Sequence, residues 1–123
     1  MTQTTQPHHG ILLFDKPVGW SSHRVVATVR RATQVKRVGH TGTLDPFASG
    51  LLIVLVGREF TRLQDHYLKL DKSYQCSFEL GYETTTLDVT GAVIAQSPPS
   101  NLIHITQSDL VAVLQQLQGT YHQ

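Results

Sequence analysis

The stretch that most limits what this chain can become runs Val38-Gly39-His40-Thr41-Gly42-Thr43-Leu44-Asp45-Pro46-Phe47-Ala48-Ser49-Gly50. Its glycines and its proline exclude a long helix or a central strand. Gly39 and Gly42 are free to take positive φ on either side of His40. Pro46 pushes Asp45 toward extended geometry, which predicts a carboxylate on a fixed loop. Leu51-Leu52-Ile53-Val54-Leu55-Val56 follows, an unbroken apolar run that predicts a strand buried on both faces. A polar loop feeding a buried strand suits chemistry, because the strand fixes where the loop's side chains point. An Asp-Pro pair taken alone is more often a turn former than a catalytic group.

The whole string says more than the pair. From Gly39 to Gly50 it resembles the signature of the TruB family of tRNA pseudouridine synthases. The resemblance implies that Asp45 is the catalytic nucleophile and that His40 helps displace the target uridine from the RNA loop. Gly39, Thr41, Gly42 and Leu44 then belong with His40 to a substrate-binding loop. The stretch Leu13 to Ser22 resembles the family's first segment, with Asp15-Lys16-Pro17, then Gly19 and the paired Ser21-Ser22; this adds Lys16 to the substrate-binding set. Lys72-Ser73-Tyr74 matches a Lys-x-Tyr segment, which implies that Lys72 contacts substrate and that Tyr74 stacks on the target base and takes part in proton transfer. Leu80 to Gly91 follows a Leu-Gly segment leading into a Thr-x-Thr-x-Asp-x-x-Gly pattern, in which Asp88 itself reads as a turn former.

Composition narrows the alternatives. With 123 residues, 40% of them hydrophobic, the chain is one domain's worth of globular sequence. A single cysteine, Cys76, excludes an internal disulfide and a zinc ribbon and fits a reducing compartment. No apolar run approaches the ~18 residues of a membrane span, and Thr2 to His9 lacks a signal-peptide core. A cytoplasmic location is expected. All ten Lys and Arg lie at or before Lys72, against the acids Asp15, Asp45, Glu59, Asp65 and Asp71; beyond it stand only Glu79, Glu83, Asp88 and Asp109. A basic first half beside the loop suits a phosphate backbone, although a solvated helix face would look the same on charge alone.

In chain order, residues 1–9 read as disordered, and His8-His9 is too short for a metal site. Ile11 to Phe14 is a short strand ending in the turn at Asp15 to Gly19. A strand followed by an aspartate also suits an aspartyl phosphatase, but the second acid expected two residues on is Pro17. Ser21 or Ser22 caps a helix to about Ala32, with Val25, Val26, Val29 and Ala32 facing the sheet and Arg24, Arg30 and Arg31 largely off that stripe. Phe60, Leu63, Tyr67 and Leu70 recur near helical spacing after Gly57. Ser73 to Leu80 alternates cleanly, predicting a half-buried antiparallel strand; spacing alone puts Tyr74 in the core, and the resemblance puts it in the site. Ala92 to Ala95 is a short strand. Thr106 or Ser108 caps a last helix, with Leu110, Val111, Leu114 and Leu117 inward and a stop at Gly119.

The expectation is an α+β fold: a mixed, largely antiparallel sheet with flanking helices, of the pseudouridine-synthase type and truncated. Residues 10–123 would be the N-terminal part of that catalytic domain. The family's later arginine, which pairs with the catalytic aspartate, and its small PUA-type RNA-binding domain lie outside this sequence. The expected function is that of a tRNA pseudouridine(55) synthase acting on the T stem-loop as a monomer, with no cofactor, no metal, no membrane association and no obligate protein partner. The alternative is a catalytically inactive fragment that binds or folds tRNA on the same scaffold. Breaking an N-glycosidic bond, turning the uracil and rejoining it through carbon is redox-neutral, and it requires a flipped base.

Overall fold

A computed structural model describes residues 8–120. The chain divides into two compact units, Met1–Tyr74 and Gln75–Gln123.

The first unit is built on a three-stranded antiparallel sheet. Strand β1 (Gly10–Lys16), helix α1 (Ser22–Thr33), β2 (Val38–His40) and β3 (Gly50–Val56) follow in order, and β3 lies between β1 and β2. β1 pairs with β3 from Gly10 opposite Val56 to Lys16 opposite Gly50, and β2 pairs Val38 with Val56 and His40 with Val54. Side chains alternate across β3, so Leu52, Val54 and Val56 share one face. Val25, Val26 and Val29 of α1 close over them, with Val35 and Val38 completing the core and Phe14 and Trp20 packed at its margin.

α1 forms where its local signals agree. The Ser21 hydroxyl accepts from the Arg24 amide and caps the helix, and Arg30 and Arg31 stand in the last turn, where cations suit the helix dipole. Ala32 departs from the expected stripe and is exposed, since the helix ends one residue later at Thr33. β3 is covered on its α1 face. On the other face Leu55 is buried but Leu51 is 62% exposed, so the expectation of burial on both faces holds only toward the C-terminal end of the strand.

Three further expectations are corrected in this unit. Val38 to His40 is an edge strand rather than part of the loop, and Gly39 sits in its ladder; a glycine is tolerated there because only one side of an edge strand is paired. The helical spacing after Gly57 yields two short helices, α2 (Arg58–Thr61) and α3 (Gln64–Leu68), broken at Arg62 and Leu63. Leu63 and Leu70 are 42% and 46% exposed, and a helix without a continuous buried stripe has little to hold it in one piece. His9, expected in a disordered arm, places its Nδ1 2.7 Å from Glu59 Oε1. A Cβ at Gly57 (φ 99°) would lie 2.9 Å from the His9 ring, so that contact needs glycine. Residues 1–7, the rest of that expected arm, lie outside the described residues.

The second unit holds a hairpin, β4 (Tyr82–Thr84) with β5 (Val93–Gln96), then a single 3-10 turn at Pro99–Asn101 and helix α4 (Gln107–Gln116). The expected strand over Ser73 to Leu80 is absent: these residues form no ladder, and Tyr74 and Phe78 are 66% and 80% exposed. Alternation chooses a face for a strand but supplies no partner for its amides, and no described residue pairs with this stretch. α4 begins with a full capping box, in which Thr106 Oγ1 accepts from the Asp109 amide and the Asp109 carboxylate accepts from the Thr106 amide. Leu110, Val111, Leu114 and Leu117, expected inward, are all exposed, and no apolar side chain is buried among the described residues of this unit.

Candidate active site

Asp45 stands on the loop between β2 and β3, exposed at its tip. Pro46 follows it, and the Ala48 amide donates to the Asp45 carbonyl at 3.1 Å, closing a four-residue turn with proline at its second position. The loop is held on both sides of that turn by the segment joining β1 to α1. The Gly19 amide donates to the Pro46 carbonyl at 2.7 Å. The Lys16 ammonium donates to the carbonyls of Ala48 at 2.6 Å, Trp20 at 2.7 Å and Pro17 at 3.2 Å. The Ser22 hydroxyl accepts from the Leu44 amide at 3.0 Å and donates to the Leu44 carbonyl at 3.2 Å. Asp45 is therefore flanked by backbone that is anchored immediately before and immediately after it.

The other expected site residues are distributed as follows. Gly39 and His40 lie in β2, and the half-buried His40 ring accepts from the Gly42 amide through Nδ1 at 3.4 Å. Thr41 is buried, its amide donating to the Ile53 carbonyl at 3.1 Å, and it continues the β2 edge by one residue. Gly42 has φ 151°, and a Cβ there would lie 4.0 Å from Lys72 Cε, so the Lys72 stem runs beside the loop. The Lys72 ammonium donates to the carbonyls of Leu68 at 2.6 Å and Leu70 at 2.8 Å, closing off the end of α3. Tyr74 is exposed and lies outside any helix or strand, which excludes the core placement that spacing alone suggested.

Lys16 is the residue whose position differs most from expectation. It is wholly buried, and its three ammonium hydrogens are matched by three carbonyl oxygens, so no donor remains for a phosphate. The basic face of α1 is also partly engaged by the protein itself. The Arg24 guanidinium lies 4.2 Å from the centre of the Trp20 ring, and Arg30 Nη2 donates to the Val38 carbonyl at 3.4 Å. Sequence reasoning missed the role of Ser22, which it treated only as a possible cap. The available signal was the serine pair: one hydroxyl suffices for the cap, leaving the other free to turn inward.

In the second unit, Asp88 Oδ1 accepts from the Thr90 hydroxyl at 2.6 Å, the Thr90 amide at 2.8 Å and the Thr86 hydroxyl at 2.8 Å. These donors hold the Asp88 carboxyl below its ordinary range, the Thr90 hydroxyl contributing most. Asp88 is thus a turn organiser, as the sequence suggested. Among the described residues no group of three His, Cys, Asp or Glu side chains is placed to hold a metal ion, and no helix is long and apolar enough to cross a membrane.

The loop thus presents an exposed carboxylate on anchored backbone, and it follows directly on the strand that carries the half-buried His40. The comparisons name the family. Residues 30–123 match the model of the TruB family pseudouridylate synthase N-terminal domain, and the chain belongs to that family. The tRNA pseudouridine synthase B of Acholeplasma laidlawii is 45% identical over 115 residues, covering 94% of this chain and 39% of that protein. That of Methylobacillus flagellatus is 46% identical over 110 residues (89% and 35%), and that of Bordetella avium 40% over 118 (96% and 48%). The chain spans less than half the length of these curated relatives.

Proposed function

We propose that this chain is part of a tRNA pseudouridine synthase that isomerises the T-loop uridine of tRNA, with Asp45 as nucleophile. The observation that carries the reading is the anchoring of Asp45. A turn aspartate needs no such support, whereas a nucleophile must be held within about half an ångström of its target geometry. The carboxylate attacks the flipped nucleotide; the glycosidic bond breaks, the uracil turns within the site and a carbon–carbon bond to the ribose replaces the carbon–nitrogen one. Asp45 is released unchanged, and the proton lost from the base carbon is balanced by one taken up at the ring nitrogen freed from the ribose, so that product and substrate are isomers. His40, beside the loop, enters the space that the uridine leaves, and an exposed Tyr74 ring is free to stack on the extruded base. Thr41, Gly42 and Leu44 shape the loop, Gly39 lies in the strand that leads into it, and the Lys72 stem borders it.

The test is pseudouridine formation in tRNA by the intact protein. Asp45→Asn keeps size and hydrogen bonding but removes the charge, so turnover should vanish while tRNA binding persists. Tyr74→Phe keeps the stacking face and, at an exposed position, should change stability by less than about 0.5 kcal/mol while slowing turnover. An Asp45→Asn protein working at the parental rate would end the assignment.

A further inference from the structure

The residue before Asp45 is gripped by a side chain from another element, and that side chain is Ser22. Its hydroxyl is buried, with 3% of the residue exposed, at the first position of α1. It receives the Leu44 amide hydrogen at 3.0 Å and gives its own to the Leu44 carbonyl at 3.2 Å. A hydroxyl has one hydrogen to give and lone pairs to receive, so a single oxygen satisfies both backbone groups of Leu44, as a neighbouring strand would. No other residue type of that size does both: alanine and cysteine lack the strong donor, and aspartate lacks the hydrogen. Ser21, its neighbour, already caps α1 through the Arg24 amide, so Ser22 is not required for the cap.

We infer that Ser22 is a positioning residue for Asp45: its hydroxyl fixes the Leu44 peptide groups, and so the direction in which the Asp45 side chain leaves the loop. The inference rests on the reading of Asp45 as nucleophile. Downstream, the turn at Pro46 and the Gly19 and Lys16 contacts hold the chain after Asp45. Upstream, Thr41 is bonded to Ile53, and Leu44 is the last residue before the carboxylate. Without the Ser22 hydroxyl, Thr43 to Asp45 is free to rotate about that remaining anchor. A displacement of about 1 Å at a reacting group costs on the order of 10²-fold in rate. Ser22 is buried and its hydroxyl is spent on Leu44, so the cost should fall on the chemical step and not on tRNA affinity.

Ser22→Thr and Ser22→Val make the matched pair, because both add the same bulk at a buried site and only threonine keeps the hydroxyl. In the intact protein, with enzyme in excess over tRNA, the threonine variant should convert uridine about 10²-fold faster than the valine variant, at equal tRNA dissociation constants. Equal rates for the two, or a Ser22→Ala protein that matches the parent, would overturn the inference. Asp45→Asn is assayed alongside. If it remains active, the nucleophile assignment fails; if it is dead while the Ser22 pair is equal, only the positioning role fails. Amide exchange in the unsubstituted protein adds a readout that needs no variant to fold. The Leu44 amide should exchange far more slowly than the exposed Ser49 amide, and exchange of Leu44 at a free-loop rate would also overturn the inference.

Discussion

Lys16 carries a charge into the protein interior, and the manner of its burial sets its role. Removing an ammonium from water is costly unless every hydrogen finds an acceptor, and Pro17, Trp20 and Ala48 provide three carbonyls within 3.2 Å. Two of these carbonyls lie on the turn that follows β1, and the third lies on the Asp45 loop, so the ammonium ties the two together. Lys16→Met keeps much of the length and removes every donor. It should cost at least about 2 kcal/mol of stability, since it leaves buried carbonyls unpaired. Chemical denaturation measures that loss, and the salt dependence of tRNA binding should stay unchanged because Lys16 has no donor left for a phosphate. A variant of parental stability with a shallower salt slope would place Lys16 on the RNA face instead.

Elements form here where local signals converge, and α4 shows how the charge state of one side chain enters. The Thr106 hydroxyl, and after it the Thr106 amide, hold the Asp109 carboxyl below its ordinary range. A carboxyl whose folded pKa is depressed contributes stability above its unfolded value and loses that contribution as pH falls through the folded value. The first turn of α4 should therefore fray only in acid, below about pH 4, and Thr106→Val should move the Asp109 titration upward. Carbon-detected NMR of the carboxyl reads both. The same locality explains what the sequence makes legible. The start of α1, its valine stripe and the Thr106 cap depend on residues within one or two turns of each other, and all three are as expected. The turn at Asp45-Pro46 is equally local. The clamps that give the loop its rigidity join residues 22 and 32 positions apart, Ser22 to Leu44 and Lys16 to Ala48. Nothing in the spacing of either partner announces the other. Ser73 to Leu80 fails for the complementary reason: its pattern is sound, but a strand is a relation between two segments, and the pattern describes one.

For the molecule as a whole, apolar burial is confined to the first unit, where every buried hydrophobic side chain of the described residues lies. Amide exchange should follow that division, slowest in β3 and along the inner face of α1 and near the unprotected rate in β4, β5 and α4. Mass-spectrometric exchange checks it, and protection of α4 equal to that of β3 would contradict this account of where the stability resides. The pairing of Lys16 with Gly50 and the grip of Ser22 on Leu44 have a consequence of another kind. They close a ring whose two arms, residues 17–21 and 45–49, are of equal length and are laced together between the closures by the Gly19 to Pro46 bond. One residue inserted in either arm would put the arms out of step and swing the carboxylate away from its heading, whatever the identity of the new residue. Chain length across this ring therefore constrains the heading of the Asp45 carboxylate as firmly as any side chain in it.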